Sequence, residues 1–208
     1  MGSISLIKLT LPISEEQITK LKVGDKVSLN GVIITGRDVA HKYIMDNFIK
    51  KEPTGDDKVL FDKLSEYLKE GVIYHCGPVV KEEDGKYTFL ASGPTTSIRE
   101  EPYQADVMKL FNLRGVIGKG GMADKTLQGC IDNKAVYFHA VGGAAVLIAQ
   151  SVKEVISVEK LDFGIPEAFW VIRVEGFPCV VTMDTNGNSL HKDMVEKSKQ
   201  KLDELLSK

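Results

Sequence analysis

Short apolar runs separated by turn residues dominate the first half of the chain. Two of these runs, residues 27–29 and 32–34, flank the dipeptide Asn30-Gly31, which is typical of a two-residue hairpin turn. The pattern therefore predicts a β-hairpin over residues 26–34.

Apolar residues at helical spacing predict two helices in the same half. The first begins with Asp38 as its N-cap and turns one apolar face toward the core, comprising Val39, Ile44, Phe48 and Ile49. The second is predicted at residues 60–68 and ends before Gly71. Strands are expected to follow at residues 72–74 and 87–91.

In the second half, predicted strands and helices alternate. The order is a helix from Pro102, a strand at 116–117, a helix at 124–131, a strand at 135–139, a helix at 144–152, strands at 168–174 and 178–183, and a helix at 190–206. Alternation of this kind indicates parallel strand pairing. Because no linker or internal repeat divides the chain, residues 1–208 are predicted to form one α/β domain.

Composition excludes several classes of partner. The 27 basic and 29 acidic side chains nearly cancel, so no strong field attracts nucleic acid or an anionic membrane. No apolar run reaches the roughly 18 residues of a membrane span, and the amino terminus lacks the pattern of a secretory signal. Three widely spaced cysteines, at positions 76, 130 and 179, are typical of a reducing compartment. We expect a soluble, unprocessed, cytoplasmic protein whose cysteines are buried thiols and whose own residues hold no metal.

Three short segments carry residues that a hydrophobic core does not require. They are ITGRDVAH at 34–41, GPTTSIR at 93–99 and GVIGKGGM at 115–122. Each brings one cation to a glycine-containing turn near a helix start, where unpaired backbone N–H groups favour anions. Together they predict a small-anion site that contains Arg37, Arg99 and Lys119.

The residue types in these segments favour a dicarboxylate over a neutral sugar. An arginine donates two parallel hydrogen bonds to a carboxylate, and Lys119 adds a compact charge. Thr95, Thr96 and Ser97 place hydroxyl groups beside Arg99. A structural role is the alternative for each residue taken alone, as a surface ion pair for a cation or an N-cap for a hydroxyl.

Other chemistries fit the sequence less well. Residues 118–121 lack the spacing of a phosphate-binding P-loop, and the four histidines show no metal-ligand spacing. His75 and His139 are expected in the core. His41 lies one helical turn after Arg37, and three roles are open for it. It supports that arginine, it faces the site, or it lies on the helix surface.

In this order, the three segments resemble the carboxy-terminal domain of class I fumarases and the β subunit of L-tartrate dehydratase. The resemblance rests on NGVIITGRDVAHKYI, SGPTTSIREEPY and RGVIGKGGM, and GGAAVLIAQSVK with FGIPEAFWVIRVEGFPCVV extends it over nearly the whole chain. It implies a three-layer α/β domain of the swivelling β/β/α type with a mixed sheet. It also implies reversible hydration of fumarate to malate.

The same resemblance implies that two subunits share the reaction. A larger α subunit is expected to hold a [4Fe–4S] cluster through three cysteines, in an α2β2 heterotetramer, and this β-type chain is expected to be inactive alone. Carried over by motif, Thr95 would abstract the proton, with Thr96 as the alternative base. Arg37, Arg99 and Lys119 would bind the carboxylates of a small dicarboxylate substrate.

One position departs from the family pattern. The usual residue after the second arginine is methionine, whereas this chain has Glu100 followed by Glu101. Added negative charge beside an anion site bears on the expected substrate more than on the expected reaction. L-tartrate is the alternative substrate, because it is also a four-carbon dicarboxylate that the same cations would bind. The alternative from another class is a non-catalytic small-anion-binding module, and an enzyme active without a partner comes last because no electrophile completes its site.

Overall fold

The structure is a computed structural model that describes residues 6–207. Its strands are β1 (Ile7–Thr10), β2 (Lys26–Thr35), β3 (Val72–Tyr74), β4 (Val79–Glu83), β5 (Lys86–Ala91), β6 (Gly115–Gly118), β7 (Val136–His139), β8 (Val152–Glu159) and β9 (Phe169–Met183). Its helices are α1 (Glu15–Ile18), α2 (Asp38–Ile44), α3 (Asp56–Leu68), α4 (Gln104–Phe111), α5 (Asp124–Asn133), α6 (Ala145–Ala149) and α7 (Leu190–Leu206). A π-helical turn, Met45–Ile49, continues α2, and 3-10 turns lie at Ser97–Glu100 and Leu161–Phe163.

Seven strands form one mixed sheet in the order β1-β2-β3-β6-β7-β9-β8. Strands β2, β3, β6 and β7 are parallel, and β9 is antiparallel to both β7 and β2. Because β9 pairs with both, the five strands close into a ring. Strands β4 and β5 form a separate hairpin. These elements confirm the predicted α/β class and its mixed sheet.

Alternate side chains of the central strands face two separate hydrophobic cores. Tyr74 belongs to the first core, which the ring encloses and which contains Trp170 and Phe138. Ile73 and Tyr137 belong to the second, which lies between the ring and helices α2 to α5. Helices therefore cover one side of a closed β structure, in agreement with an α/β domain of three layers.

The predicted hairpin at Asn30-Gly31 is wrong. Strand β2 runs through both residues and stays paired with β9, with one slip of register between Leu29 and Gly31. The Asn30 side chain donates to the carbonyl of Leu9 at 3.3 Å and accepts from the N–H of Gly176 at 2.9 Å. Gly31 has φ +119°. A dipeptide typical of turns here forms a bulge, because neighbouring strands on both sides hold the backbone extended.

Three other predicted elements have different bounds. The strands expected at 168–174 and 178–183 are one strand, β9, bent opposite the bulge of β2. The helix expected at 144–152 ends at Ala149, and β8 begins at Val152. The sequence pattern missed β8 because its apolar residues 152, 155 and 156 have helical spacing.

The first predicted helix begins differently from the expectation. Arg37, and not Asp38, occupies the N-cap position of α2, and no side chain caps this end. Ala40, His41 and Ile44 form its buried face, whereas Val39, which was expected in the core, is 41% exposed. Of the three possibilities for His41, the helix surface is therefore wrong.

The cysteines are buried, as predicted. Burial raises the pKa of the Cys76 and Cys130 thiols to about 12. No helix within residues 6–207 combines the length and the apolar character that crossing a membrane requires.

Candidate functional site

The carboxyl ends of the parallel strands β2 and β6 bring the first and third predicted segments to one edge of the ring. Arg37 lies two residues after the end of β2, and Lys119 follows β6 directly. The loop at Thr95 crosses this edge, because its N–H donates to the carbonyl of His75 at 2.8 Å. The N–H of Lys119 donates in turn to the carbonyl of Thr95 at 3.3 Å. Backbone hydrogen bonds therefore join the second segment to the third.

Arg37 lies against a carboxylate from a distant part of the chain. Its Nε is 3.4 Å from Oε1 of Glu167, and 21% of its side chain is exposed. The other oxygen of Glu167 accepts from the N–H of Val39 at 3.1 Å. Nε itself has no hydrogen-bond partner within the described residues. One carboxylate thus orients the guanidinium, and N–H groups are left to donate to a ligand.

Arg99 connects the second segment to the first. Its Nη2 pairs with Asp38 in the first turn of α2, and 57% of its side chain is exposed. An exposed pair of this kind contributes at most about 1 kcal/mol. A ligand carboxylate can therefore replace Asp38 at little cost.

Lys119 is the cation whose charge is not compensated. Arg37 and Arg99 pair with carboxylates, whereas Lys119 forms no ion pair with any residue from 6 to 207. Its carbonyl accepts from the N–H of Ser97 at 3.1 Å, which fixes its backbone beside the second segment. An anion at this edge would meet a half-buried ammonium group without a competing partner.

Thr95 and Thr96 have different surroundings although they are adjacent and chemically identical. The Oγ1 of Thr95 is buried and has no hydrogen-bond partner among residues 6–207. Thr96 is exposed and contributes its backbone to a bridge with Lys119. A buried unpaired hydroxyl is costly, so Thr95, unlike Thr96, has a hydrogen-bonding capacity that the described chain does not satisfy.

A buried polar network lies directly beneath these segments. The hydroxyl of Tyr137 donates to Oγ of Ser97 at 2.8 Å, and the same Oγ lies 2.8 Å from Nδ1 of His75. Oε1 of Gln104 lies 2.8 Å from Nε2 of His75 and 3.0 Å from Nε2 of His41. All five side chains are fully buried.

This network contacts all three segments. His41 bonds through Nδ1 to the carbonyl of Arg37 at 2.9 Å, and Ser97 belongs to the second segment. A Cβ on Gly118 would lie 1.8 Å from Oγ of Ser97 and 2.7 Å from the hydroxyl of Tyr137. Only glycine therefore fits at the end of β6. Burial lowers the pKa of both His41 and His75, which favours neutral imidazoles.

Glu100 is buried without a hydrogen-bond partner. Neither carboxyl oxygen accepts a hydrogen bond within the described residues, and the nearest basic atom is Nδ1 of His75, 4.0 Å from Oε2. Burial, reinforced by the charge of Asp38, raises the pKa of this carboxyl to about 8. This pKa favours the protonated form of Glu100 at pH 7, so the residue adds less negative charge beside the anion site than its type suggests.

The chain is similar in sequence to proteins of one family. The sequence profile of the family described as Fumarase C-terminus matches residues 3–194. The chain belongs to this family. The names of its relatives are those of hydro-lyases.

Three relatives in this family illustrate the range of similarity. A Geobacillus stearothermophilus protein assigned as a class I fumarate hydratase is 50% identical over 198 residues, which cover 95% of this chain and 36% of that protein. A Methanocaldococcus jannaschii protein assigned as an L(+)-tartrate dehydratase subunit beta is 40% identical, with 93% and 95% covered. The L(+)-tartrate dehydratase subunit beta of Escherichia coli K12 is 36% identical, with 88% and 85% covered. The chain thus spans about a third of the fumarate hydratase and nearly all of each tartrate dehydratase subunit.

Two histidines at the same edge were not recognised as site residues in the sequence. His139 ends β7 and pairs with Gly118 of β6, and it is half-buried at the strand end, not enclosed in the core as expected. The ring of His191, in the first turn of α7, lies 5.8 Å from that of His139. A Cβ on Gly121 would lie 2.3 Å from His191, so this glycine permits the close approach.

The described residues of this chain do not fit as ligands of an iron–sulfur cluster. Among residues 6–207, no group of three His, Cys, Asp or Glu side chains is arranged to hold a metal ion. The three thiols lie on different elements, since Cys130 is in α5 and Cys179 is in β9, while Cys76 contacts Ser92.

Exposed apolar side chains border the site. They are Ile98, Val141, Val146 and Leu147, between 49% and 67% exposed. The loop that carries Val141 approaches Lys119, since a Cβ on Gly142 would lie 3.5 Å from its Cδ. We call these four residues the apolar rim. Exposed apolar side chains clustered beside polar groups are typical of interaction surfaces.

Proposed function

We propose that this chain is the β-type subunit of a hydro-lyase that hydrates fumarate reversibly to malate, and that L-tartrate is the alternative substrate. The observation that carries the proposal is the unpaired, buried hydroxyl of Thr95 at an edge with three cations, in a member of the fumarase C-terminal family. A single domain over residues 1–208 and a cytoplasmic location are part of the same proposal.

Arg37, Arg99 and Lys119 are proposed to bind the two carboxylates of the substrate. Arg37 is the more rigid of the two arginines because Glu167 and the start of α2 hold it. Arg99 is exposed and exchanges Asp38 for the substrate. Lys119 contributes the charge that no carboxylate of the described chain neutralises.

Thr95, in its deprotonated form, is proposed to accept a proton from the carbon next to a carboxylate in the dehydration direction, while the C–O bond on the neighbouring carbon breaks and hydroxide leaves. In the hydration direction it returns the proton as hydroxide adds. Its backbone is held on both sides, through the N–H to His75 and through the carbonyl to Lys119. A neutral hydroxyl is a weak base, so the nearby cations have to stabilise its deprotonated form. The environment of Thr95 supports it over the exposed Thr96.

The proposal requires a larger α subunit. That subunit would carry the [4Fe–4S] cluster, because the described residues of this chain do not fit as its ligands. When bound, the cluster supplies a Lewis acid for the substrate. The apolar rim is the surface that the α subunit would cover, in an assembly proposed as α2β2.

The experiment that tests these roles is steady-state kinetics of the complex, purified anaerobically with the α subunit and assayed on fumarate, malate and both tartrates. Thr95→Ala should lower kcat by about 100-fold or more, while Thr96→Ala stays near wild type. Alanine at Arg37, Arg99 or Lys119 should raise KM, with kcat/KM lower by roughly 30- to 1,000-fold. Lys86→Ala, on the exposed β4–β5 hairpin, is the matched control.

Two outcomes would contradict the proposal. If Thr96→Ala is inactive and Thr95→Ala is not, the proton-accepting group is Thr96. If the wild-type complex binds dicarboxylates but converts none of the four compounds, the chain is the non-catalytic anion-binding module. Calorimetric titration of the isolated chain with fumarate separates this second outcome from a failure to bind.

A further inference from the structure

Gln104 is a fully buried polar residue at the first position of α4. Its Oε1 lies within hydrogen-bond distance of two imidazole nitrogens, Nε2 of His41 and Nε2 of His75. Its Nε2 has no partner within the described residues. Both hydrogen bonds therefore fall on one end of the amide, and the end with two N–H groups donates none.

The hydrogen bonds of His41 are incompatible with this orientation of the amide. Nδ1 of His41 faces the carbonyl of Arg37, which can only accept, so Nδ1 carries a proton. In a neutral imidazole Nε2 then has a lone pair, and it faces Oε1 of Gln104, which also only accepts. Either His41 is an imidazolium ion, or the oxygen and nitrogen of the Gln104 amide exchange positions.

Burial decides between these alternatives. The rings of His41 and His75 are fully buried and lie 5.0 Å apart, so that charge on both is strongly disfavoured. Burial lowers the pKa of each ring. Glu100, the acid beside His75, has a pKa raised to about 8 and offers little counter-charge at neutral pH. The charge of Asp38 favours an imidazolium at His41, but the cost of burial is the larger effect on its pKa. The turned amide also satisfies the unpaired N–H groups, because these then donate to both Nε2 atoms.

We propose that Gln104 is a positioning residue whose amide N–H groups hold His41 and His75 as neutral Nδ1–H tautomers, and so orient Arg37 and the Ser97 turn. The role in catalysis rests on the proposed function. His41 then donates to the carbonyl of Arg37, and His75 donates to Oγ of Ser97. One side chain thus fixes the first and second site segments relative to each other.

The first test uses the wild-type chain and needs no activity. Nitrogen NMR of labelled histidine should show Nδ1 protonated and Nε2 unprotonated in both His41 and His75 at pH 7. Gln104→Glu places an acceptor-only carboxylate between the rings, so the pKa of His41 should rise. Gln200→Glu, on the exposed face of α7, adds the same charge and should leave both rings unchanged.

The second test uses Gln104→Met, which keeps the volume and removes both donors. The Nε–H of Arg37 is buried, and it should exchange with solvent roughly tenfold faster than in Gln200→Met, as expected for the loss of one hydrogen bond. In the complex with the α subunit, KM should rise roughly tenfold while kcat changes less, because Thr95 keeps its own backbone hydrogen bonds.

Protonated Nε2 on either ring of the wild-type chain would overturn the assignment of the amide. If the Nε–H of Arg37 exchanges with solvent at an unchanged rate in a folded Gln104→Met chain, the positioning role is overturned. An unchanged KM of the Gln104→Met complex would overturn it as well. An inactive wild-type complex would contradict the proposed function instead, and the NMR and exchange results would still decide the inference.

Discussion

Replacing Glu100 with glutamine is expected to stabilise the folded chain at neutral and alkaline pH. The carboxyl is buried, its oxygens have no hydrogen-bond partner in the described chain, and Nδ1 of His75 is 4.0 Å away. Glutamine has nearly the same shape but cannot ionise. The substitution therefore removes an ionisation that opposes folding, without leaving a cavity.

The magnitude follows from the difference in pKa between the two states. Folding raises the pKa of Glu100 from its ordinary value of 4.5 to about 8. Below pH 4.5 both states hold the proton. Between that value and about 8 only the folded state does, so the free energy of unfolding falls as pH rises. At about 1.4 kcal/mol per pH unit, the loss is about 3 kcal/mol at pH 7 and at most about 5 kcal/mol above pH 8.

Urea unfolding of the isolated chain, followed by circular dichroism between pH 5 and pH 8, measures this effect. Wild type and Glu100→Gln should have similar free energies of unfolding at pH 5 and diverge as pH rises. Glu66→Gln, at an exposed position of α3, controls for the loss of a carboxylate. A difference that is the same at pH 5 and pH 8 would refute the reasoning, because it would show that Glu100 does not hold a proton through folding.

Two further predictions concern packing. Gly118→Ala should destabilise the chain by about 3 kcal/mol in the same unfolding assay, because the added Cβ would overlap Ser97. Gly142→Ala is the control, since its Cβ would make only an ordinary contact and should change the stability little. Equal stability of the two variants would contradict the close packing at the end of β6. All three cysteines should resist a water-soluble disulfide reagent in the folded chain and react in urea, since burial raises the pKa of each thiol. A thiol that reacts rapidly under native conditions would contradict this.

The candidate site could be predicted from sequence where its chemistry is local. Arg37 and Lys119 lie beside glycines at strand ends, and Arg99 lies in the 3-10 turn that follows the Gly93-Pro94 loop, so residue type and nearby residues were sufficient to single them out. The difference in burial between Thr95 and Thr96 could not be predicted from the sequence, because it depends on the path of the loop across the ring.

The network beneath the site left no signal in the sequence. Gln104 is an unremarkable helix-start residue, and its partners His41 and His75 come from two other elements. Glu100 was expected to be charged because carboxylates are seldom fully buried. Its burial raises its pKa instead, which is a property of the packed surroundings and not of the residue type.

The α/β class, the order of most elements and the segments that carry cations could be predicted from the sequence, because periodicity and turn chemistry act within a few residues. The other features depend on contacts in the folded chain. Asn30-Gly31 has the local preferences of a hairpin, yet pairing with β1 and β9 keeps it within one bent strand. Closure of the ring, and the meeting of all three segments at its edge, depend on contacts between residues far apart in the chain. Such long-range pairings outweigh the small free-energy preferences of a local sequence.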